Sequence, residues 1–139
     1  MVAPIDALDF WLGTWEVRGR DGSPAGTNVV ERVLDGHAVL EHWRAVDGGE
    51  GKSLFFYEPS AGTWKQVWVT STYVKEKTLV ATGPDGVRFE GHALVAGERY
   101  PDRTTLTVVP GGEVGQLIEH SRDERATWIV SFDAVYSRG

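Results

Sequence analysis

The feature that most constrains this chain is a succession of short β-rich runs broken by turn signals, with no helical crossover between any two of them. Ten runs follow Gly13: Thr14–Arg20, Thr27–Leu34, His37–Val46, Lys52–Glu58, Thr63–Thr72, Lys77–Thr82, Val87–Val95, Thr104–Val109, Val114–Ser121 and Thr127–Ser137. Asp21-Gly22, Asp35-Gly36, Gly48-Gly49, Pro59, Pro84-Asp85-Gly86, Pro101-Asp102 and Pro110-Gly111-Gly112 punctuate them. Neighbours joined without a crossover are antiparallel, so the topology is a meander. Ten meandering strands leave two long edges unless the sheet closes on itself. The expected fold is therefore all-β: an up-and-down antiparallel barrel of about ten strands, wide enough to leave interior space. A flattened two-sheet sandwich is the alternative. Ahead of the strands, Pro4 to Leu12 places Ile5, Leu8 and Leu12 on one face of a short N-terminal helix that stops at Gly13, suited to plugging one barrel end.

Composition narrows the function. The 139 residues suit a single domain, 1–139, with a proper core. A formal charge of −6 provides no basic patch for nucleic acid or an anionic membrane, so neither is an expected partner. Without cysteine there is no disulfide, thiolate nucleophile or Cys-based metal site. The N-terminal residues lack the basic flank and apolar run of a signal peptide, and the expected location is cytoplasmic. Six tryptophans in so short a chain point to a core or a ligand pocket.

Hairpin geometry assigns faces. If Asp35-Gly36 is a two-residue turn, Val30 pairs with Glu41 and Asn28 with Trp43. One face then carries Val30, Arg32, Leu34, Val39, Glu41 and Trp43, and the tryptophan makes it the interior. Trp64, Gln66 and Trp68 alternate with Lys65, Val67 and Val69 and look inward, bringing Ser53, Phe55 and Tyr57 with them across the preceding turn. Trp128, Val130, Phe132, Ala134 and Tyr136 form one stripe. A bulged turn at Pro110-Gly111-Gly112 places Leu106, Val108, Val114, Gln116, Ile118 and His120 inside, although a one-residue slip reverses that set. From about Val74 to Ser121 the alternation fixes no register.

The expected interior is an aromatic-lined cavity with a few polar groups, the usual anatomy of a small-molecule site. Its candidate ligand-binding residues are Arg32, Glu41, Trp43, Ser53, Phe55, Tyr57, Gln66, Trp68, Gln116, Trp128, Phe132 and Tyr136. Arg32 and Glu41 are diagonal neighbours. They form either a structural ion pair or a polar anchor for a ligand. Glu41 beside apolar rings and His120 are the candidate acid–base groups. A triad of Ser53, His120 and Glu41 has no local support.

Sharper motifs fail. Gly51-Lys52-Ser53 imitates the end of a phosphate-binding loop, but Val46 stands where its first glycine belongs and a strand follows where a helix is required. His37 and His42 fall on opposite strand faces, and no metal site is expected.

Leu12-Gly13-Thr14-Trp15, Glu31-Arg32-Val33-Leu34-Asp35-Gly36 and Leu40-Glu41-His42-Trp43 resemble the start of bacterial lipocalin-like proteins of the DUF1579 kind. Gly51-Lys52-Ser53-Leu54, Tyr57-Glu58-Pro59 and Trp64-Lys65-Gln66-Val67-Trp68-Val69 resemble the middle of the same group. Ser121 to Trp128 with Phe132-Asp133-Ala134 and Tyr136 resembles its final hairpin, with Asp123-Glu124-Arg125 where that group carries Asp-Gly-Gly. The resemblance is weak from Val74 to Pro101. It implies a calycin-like barrel and supplies no activity. A more distant resemblance is to nitrobindins, which hold haem through a histidine on a late strand. Thr127 to Ser137 contains none, so no haem or other cofactor is expected.

Two functions remain open: a cytoplasmic barrel binding a hydrophobic small molecule, and a cofactor-free cyclase or isomerase of a polyketide- or terpenoid-like substrate in the same cavity. Outward Val29, Val33, Leu40, Val67 and Val69 add the expectation of a homodimer.

Overall fold

The computed structural model describes residues 2–139 as a closed barrel of ten antiparallel strands. These are β1 (Gly13–Gly19), β2 (Pro24–Val33), β3 (Ala38–Ala45), β4 (Glu50–Glu58), β5 (Thr63–Val69), β6 (Tyr73–Gly83), β7 (Gly86–Val95), β8 (Glu98–Val109), β9 (Glu113–His120) and β10 (Ile129–Arg138). Each strand pairs with its sequence neighbours, and β1 pairs with β10 from Trp15↔Arg138 to Gly19↔Ala134, which closes the tube. A sandwich is excluded.

The expected short N-terminal helical element is present and caps one end. It runs through turns into a 3-10 turn at Asp9–Trp11. Ile5 is exposed, and Ala3, Leu8 and Trp11 are the residues driven inside. Polar contacts hold this strap in place. The Ala3 amide donates to the Gly62 carbonyl at 2.7 Å, Tyr57 donates to the Ala3 carbonyl at 2.9 Å, and the Trp64 indole donates to the Pro4 carbonyl at 3.1 Å. Arg138 donates to the Leu12 carbonyl, and Arg32 pairs with Asp9.

Above the strap lies an aromatic floor. Trp11 meets Phe55 edge-on at 5.3 Å, Phe55 meets Phe89 at 5.3 Å, and Trp11 and Trp15 both meet Tyr136. Edge-to-face pairs suit the ring quadrupoles, and each ring removes some 150–250 Å² from water. This end of the barrel is filled.

The β2–β3 hairpin has the expected register, Val30↔Glu41 and Asn28↔Trp43, and the pairs Ser53↔Trp68 and Phe55↔Gln66 put Ser53 and Phe55 on the expected face of β4. The chain reverses between β2 and β3 through Leu34, Asp35 and Gly36, all with positive φ, and not through a two-residue turn. Leu34 is thereby thrown out to 74 % exposure, and Arg32 ends on Asp9, so the expected ion pair with Glu41 does not form. In β10 the register shifts between Val130 and Phe132, breaking the expected stripe. Phe132, Ala134 and Tyr136 keep the inward phase, whereas Val130 is exposed. Trp128 lies outside β10 under the Arg103 guanidinium, 3.8 Å from its ring centre. Val108 shares the face of Val114 but is exposed near its strand end. On the outer wall, Val29, Leu54 and Val69 are exposed.

Trp11→Ala should cost about 3–5 kcal/mol of unfolding free energy, because it opens a void in the floor. Leu34→Gly should raise stability by up to about 1 kcal/mol, since Leu34 sits at φ 53° with no packing to lose. Urea denaturation of the two variants measures both.

Candidate functional site

The strap and rings fill one end of the barrel, and the other end is hollow. A cavity of about 190 Å³ lies between Trp43, Trp68, Tyr73, Ile118 and Phe132 on one side and a polar layer on the other. That layer comprises Glu41, Gln66, Lys75, Lys77, Thr104, Gln116 and Tyr136. Exposed Ser131 also borders the cavity, so it reaches the surface at the end away from the strap.

The large rings fit where they do because glycine makes room. A Cβ on Gly51, the β4 partner of Trp43, would collide with the Trp68 indole. Trp43 meets Phe132 edge-on at 5.8 Å, and the Trp68 indole donates to Tyr73 Oη at 3.4 Å.

Two polar groupings face the cavity. On β2 to β5, Gln66 Nε2 donates to Ser53 Oγ at 3.0 Å, Ser53 bonds Glu41, and Asn28 Nδ2 donates to Glu41 Oε2 at 3.0 Å. Gln66 Oε1 and Asn28 Oδ1 are buried with no partner. On β6 and β8, Lys77 Nζ lies 2.5 Å from Asp102 Oδ2 and donates to Thr104 Oγ1 at 2.5 Å, while Lys75 Nζ lies 3.2 Å from Asp102 Oδ1. Lys77, Gly91 and Asp102 are in register across β6, β7 and β8. With no side chain at Gly91, the ammonium reaches across β7 to the carboxylate. A Cβ there would strike the Glu76 carbonyl. Beside these groupings, Gln116 Nε2 donates to the Tyr136 hydroxyl.

Burial sets the electrostatics. It raises the Glu41 carboxyl to about 7, against the pull of its bonds from Ser53 and Asn28 and of the Lys77 charge. It lowers Lys77 to about 8, with the Asp102 charge opposing the shift and Lys75 adding to it. Burial and the Glu41 charge both push the Tyr136 hydroxyl well above its ordinary value.

Of the residues singled out from sequence, Glu41, Trp43, Gln66, Trp68, Gln116, Phe132 and Tyr136 border the cavity. Ser53 is buried behind it, bonded to Gln66. Phe55 belongs to the aromatic floor and Tyr57 to the strap contacts. Arg32 and Trp128 lie elsewhere, as described. His120 does not border the cavity either; its ring meets Tyr100 at a tilt, 5.4 Å between centres, and it does not join Ser53 and Glu41. Sequence reasoning missed Asn28, Tyr73, Lys75, Lys77, Asp102 and Thr104. A signal for two of them was present: Trp68 and Gln66 point inward and the turn after Val69 is short, so their β6 partners Lys75 and Lys77 must share that face.

The sequence matches no family model and no curated protein. The ten-stranded closed barrel itself agrees with the fold that the lipocalin-like resemblance implies.

The buried charges predict a stability profile. Glu41 holds its proton more tightly in the barrel, at about 7, than at its ordinary 4.5. Its contribution is therefore fully present below about 4.5 and is lost as pH rises through 7, a change on the order of 3 kcal/mol. Lys77 has the opposite slope: its proton is held less tightly in the barrel, so unfolding free energy rises between about 8 and 10.5. Glu41→Gln should remove the decline between pH 4.5 and 7 and leave the alkaline rise, as read by urea unfolding across pH. In addition, Gly51→Ala should displace the Trp68 ring and shift tryptophan emission with little change in far-ultraviolet circular dichroism.

Proposed function

We propose that this barrel binds a small, largely hydrophobic organic molecule of about one ring, its body between Trp43, Trp68 and Phe132 and its polar head against the Gln66–Lys77 wall. The observation that carries this reading is the partnerless Gln66 Oε1, buried on the wall of a cavity ringed by aromatics. A buried acceptor without a donor costs about 1–3 kcal/mol, which a ligand or an ordered water offsets. Size supports one ring. Cavities of about 150 Å³ are known to take benzene, and this one holds about 190 Å³.

Benzyl alcohol is a suitable probe. It should change tryptophan fluorescence saturably, with a dissociation constant on the order of 0.1–1 mM for so few atoms. The indole N–H resonances of Trp43 and Trp68 should move while that of Trp15, in the floor, stays. Absence of saturable change for any one-ring probe, charged or neutral, would overturn the reading.

Glu41 supports a second reading, a cofactor-free isomerase, because a carboxyl raised to about 7 is matched to moving protons near neutrality. The cavity suits a one-ring substrate better than a folded polyketide or terpenoid. Glu41→Gln separates the readings. In a binding protein it changes affinity by about tenfold or less. In an enzyme it lowers turnover by about a hundredfold or more with binding nearly intact.

A further inference from the structure

The polar wall of the cavity is unbalanced in charge. Two ammonium groups, Lys75 and Lys77, share the single carboxylate of Asp102. Asp102 and the Lys77 side chain are 2 % exposed and the Lys75 side chain is 14 % exposed, so bulk water and mobile ions do little to neutralise the surplus. Lys77 spends donors on Asp102 and Thr104, whereas Lys75 has Asp102 alone, at the longer distance. Lys75 is also nearer the open end, in register with Trp68. Asp102 lies behind these lysines, and among the described residues Glu41 is the one acid that lines the cavity itself. It already accepts from Asn28 and Ser53, and it faces Lys77 and the Tyr136 hydroxyl across the interior.

We propose, resting on the reading of the cavity as a ligand site, that its ligand is a one-ring carboxylic acid bound as the anion, with the carboxylate on Lys75 and Lys77 and the ring among Trp43, Trp68 and Phe132. The anion supplies the negative charge that Asp102 alone does not. A carboxylate accepts from both ammonium groups at once, and charge-assisted bonds in a dry site are stronger than neutral ones. A hydroxyl or amine beside the carboxylate would in turn donate to Gln66 Oε1, since Gln66 and Lys77 are direct partners across β5 and β6.

Glu41 makes this binding depend on pH. A second anion in the cavity repels the Glu41 carboxylate, so the acid binds best when Glu41 carries its proton. The groups that set that proton are Asn28, Ser53, Lys77 and Tyr136, with Lys75 and Asp102 acting through Lys77.

The experiment compares benzoate with benzyl alcohol by isothermal calorimetry and tryptophan fluorescence at pH 6 and pH 8. At pH 6 benzoate should bind at least about tenfold more tightly. Its affinity should fall about tenfold by pH 8, while that of benzyl alcohol stays level. Glu41→Gln should shrink that fall to the part that Lys77 contributes as it loses its proton at about 8. Lys75→Gln, which keeps the tighter Lys77–Asp102 pair, should lower benzoate affinity by a larger factor than benzyl alcohol affinity, so that the preference for benzoate is lost. Equal affinities, or tighter binding of the alcohol, would overturn the charge assignment while leaving the cavity as a ligand site. Failure of both probes in the folded wild-type protein would overturn the two together.

Discussion

The ladder between β1 and β10 is the interaction on which the rest of the molecule depends. Before it forms, the chain is a ten-strand meander whose inner face is open along its length and whose first and last strands offer unpaired amides. Pairing Trp15 to Gly19 with Arg138 to Ala134 satisfies both edges and encloses the inner face. The same ladder brings the N-terminal strap, through Arg138, to the end where Trp11, Phe55 and Tyr136 stack. Closure and capping thus share one residue, Arg138. Only inside a closed, capped tube do Glu41 and Lys77 leave water, so their altered proton affinities follow from the topology.

Side-chain volume then decides which half of the tube is solid. Near the strap the inward positions are Trp11, Trp15, Phe55, Phe89 and Tyr136, and they fill the bore. Toward the other end they are Ser53, Gln66, Gly91 and Ala93, too small or too slender to meet across it. The large rings there, Trp43 and Trp68, border the space and do not occupy it. Gly91 has a second consequence. By leaving its inward position empty it lets a lysine and an aspartate two strands apart touch, which sets the charge pattern of the wall.

The strand count, the antiparallel order and the inward faces of β3, β4 and β5 were legible because turn residues and period-two alternation report them directly. Glu41, Trp43, Gln66 and Trp68 were reachable on that basis. Alternation failed where an interior face is polar: nothing in the pattern marks Lys75 and Lys77 as inward, since a pattern cannot distinguish an outward lysine from one held by a buried aspartate. Asp102 lies twenty-five residues on from Lys77, and only the three-dimensional register through Gly91 joins them. The stripe in β10 failed for another reason. The irregularity between Val130 and Phe132 reverses the phase, and no local residue type announces it. Within the N-terminal element, helical spacing weighed Ile5 and Leu12 along with Leu8, whereas burial selects Ala3, Leu8 and Trp11 to fit the barrel mouth.

The energetics of the polar wall separate structure from use. Desolvating an ammonium and a carboxylate costs several kcal/mol each, and a buried pair recovers that only with good geometry and further bonds. Apolar residues of similar size at Lys77 and Asp102 would serve a barrel at least as well, as they do at Leu79 and Leu106 on the same strands. Next to the pair, Glu41 is held between its charged and neutral forms, and Gln66 leaves an acceptor bare. Each of these features works against stability, and among the described residues the strap end of the same tube shows none of them except the unpartnered Trp11 indole N–H. Costs gathered around one cavity, in a fold whose other half is packed with rings, support the proposal that its polar groups are kept for a ligand.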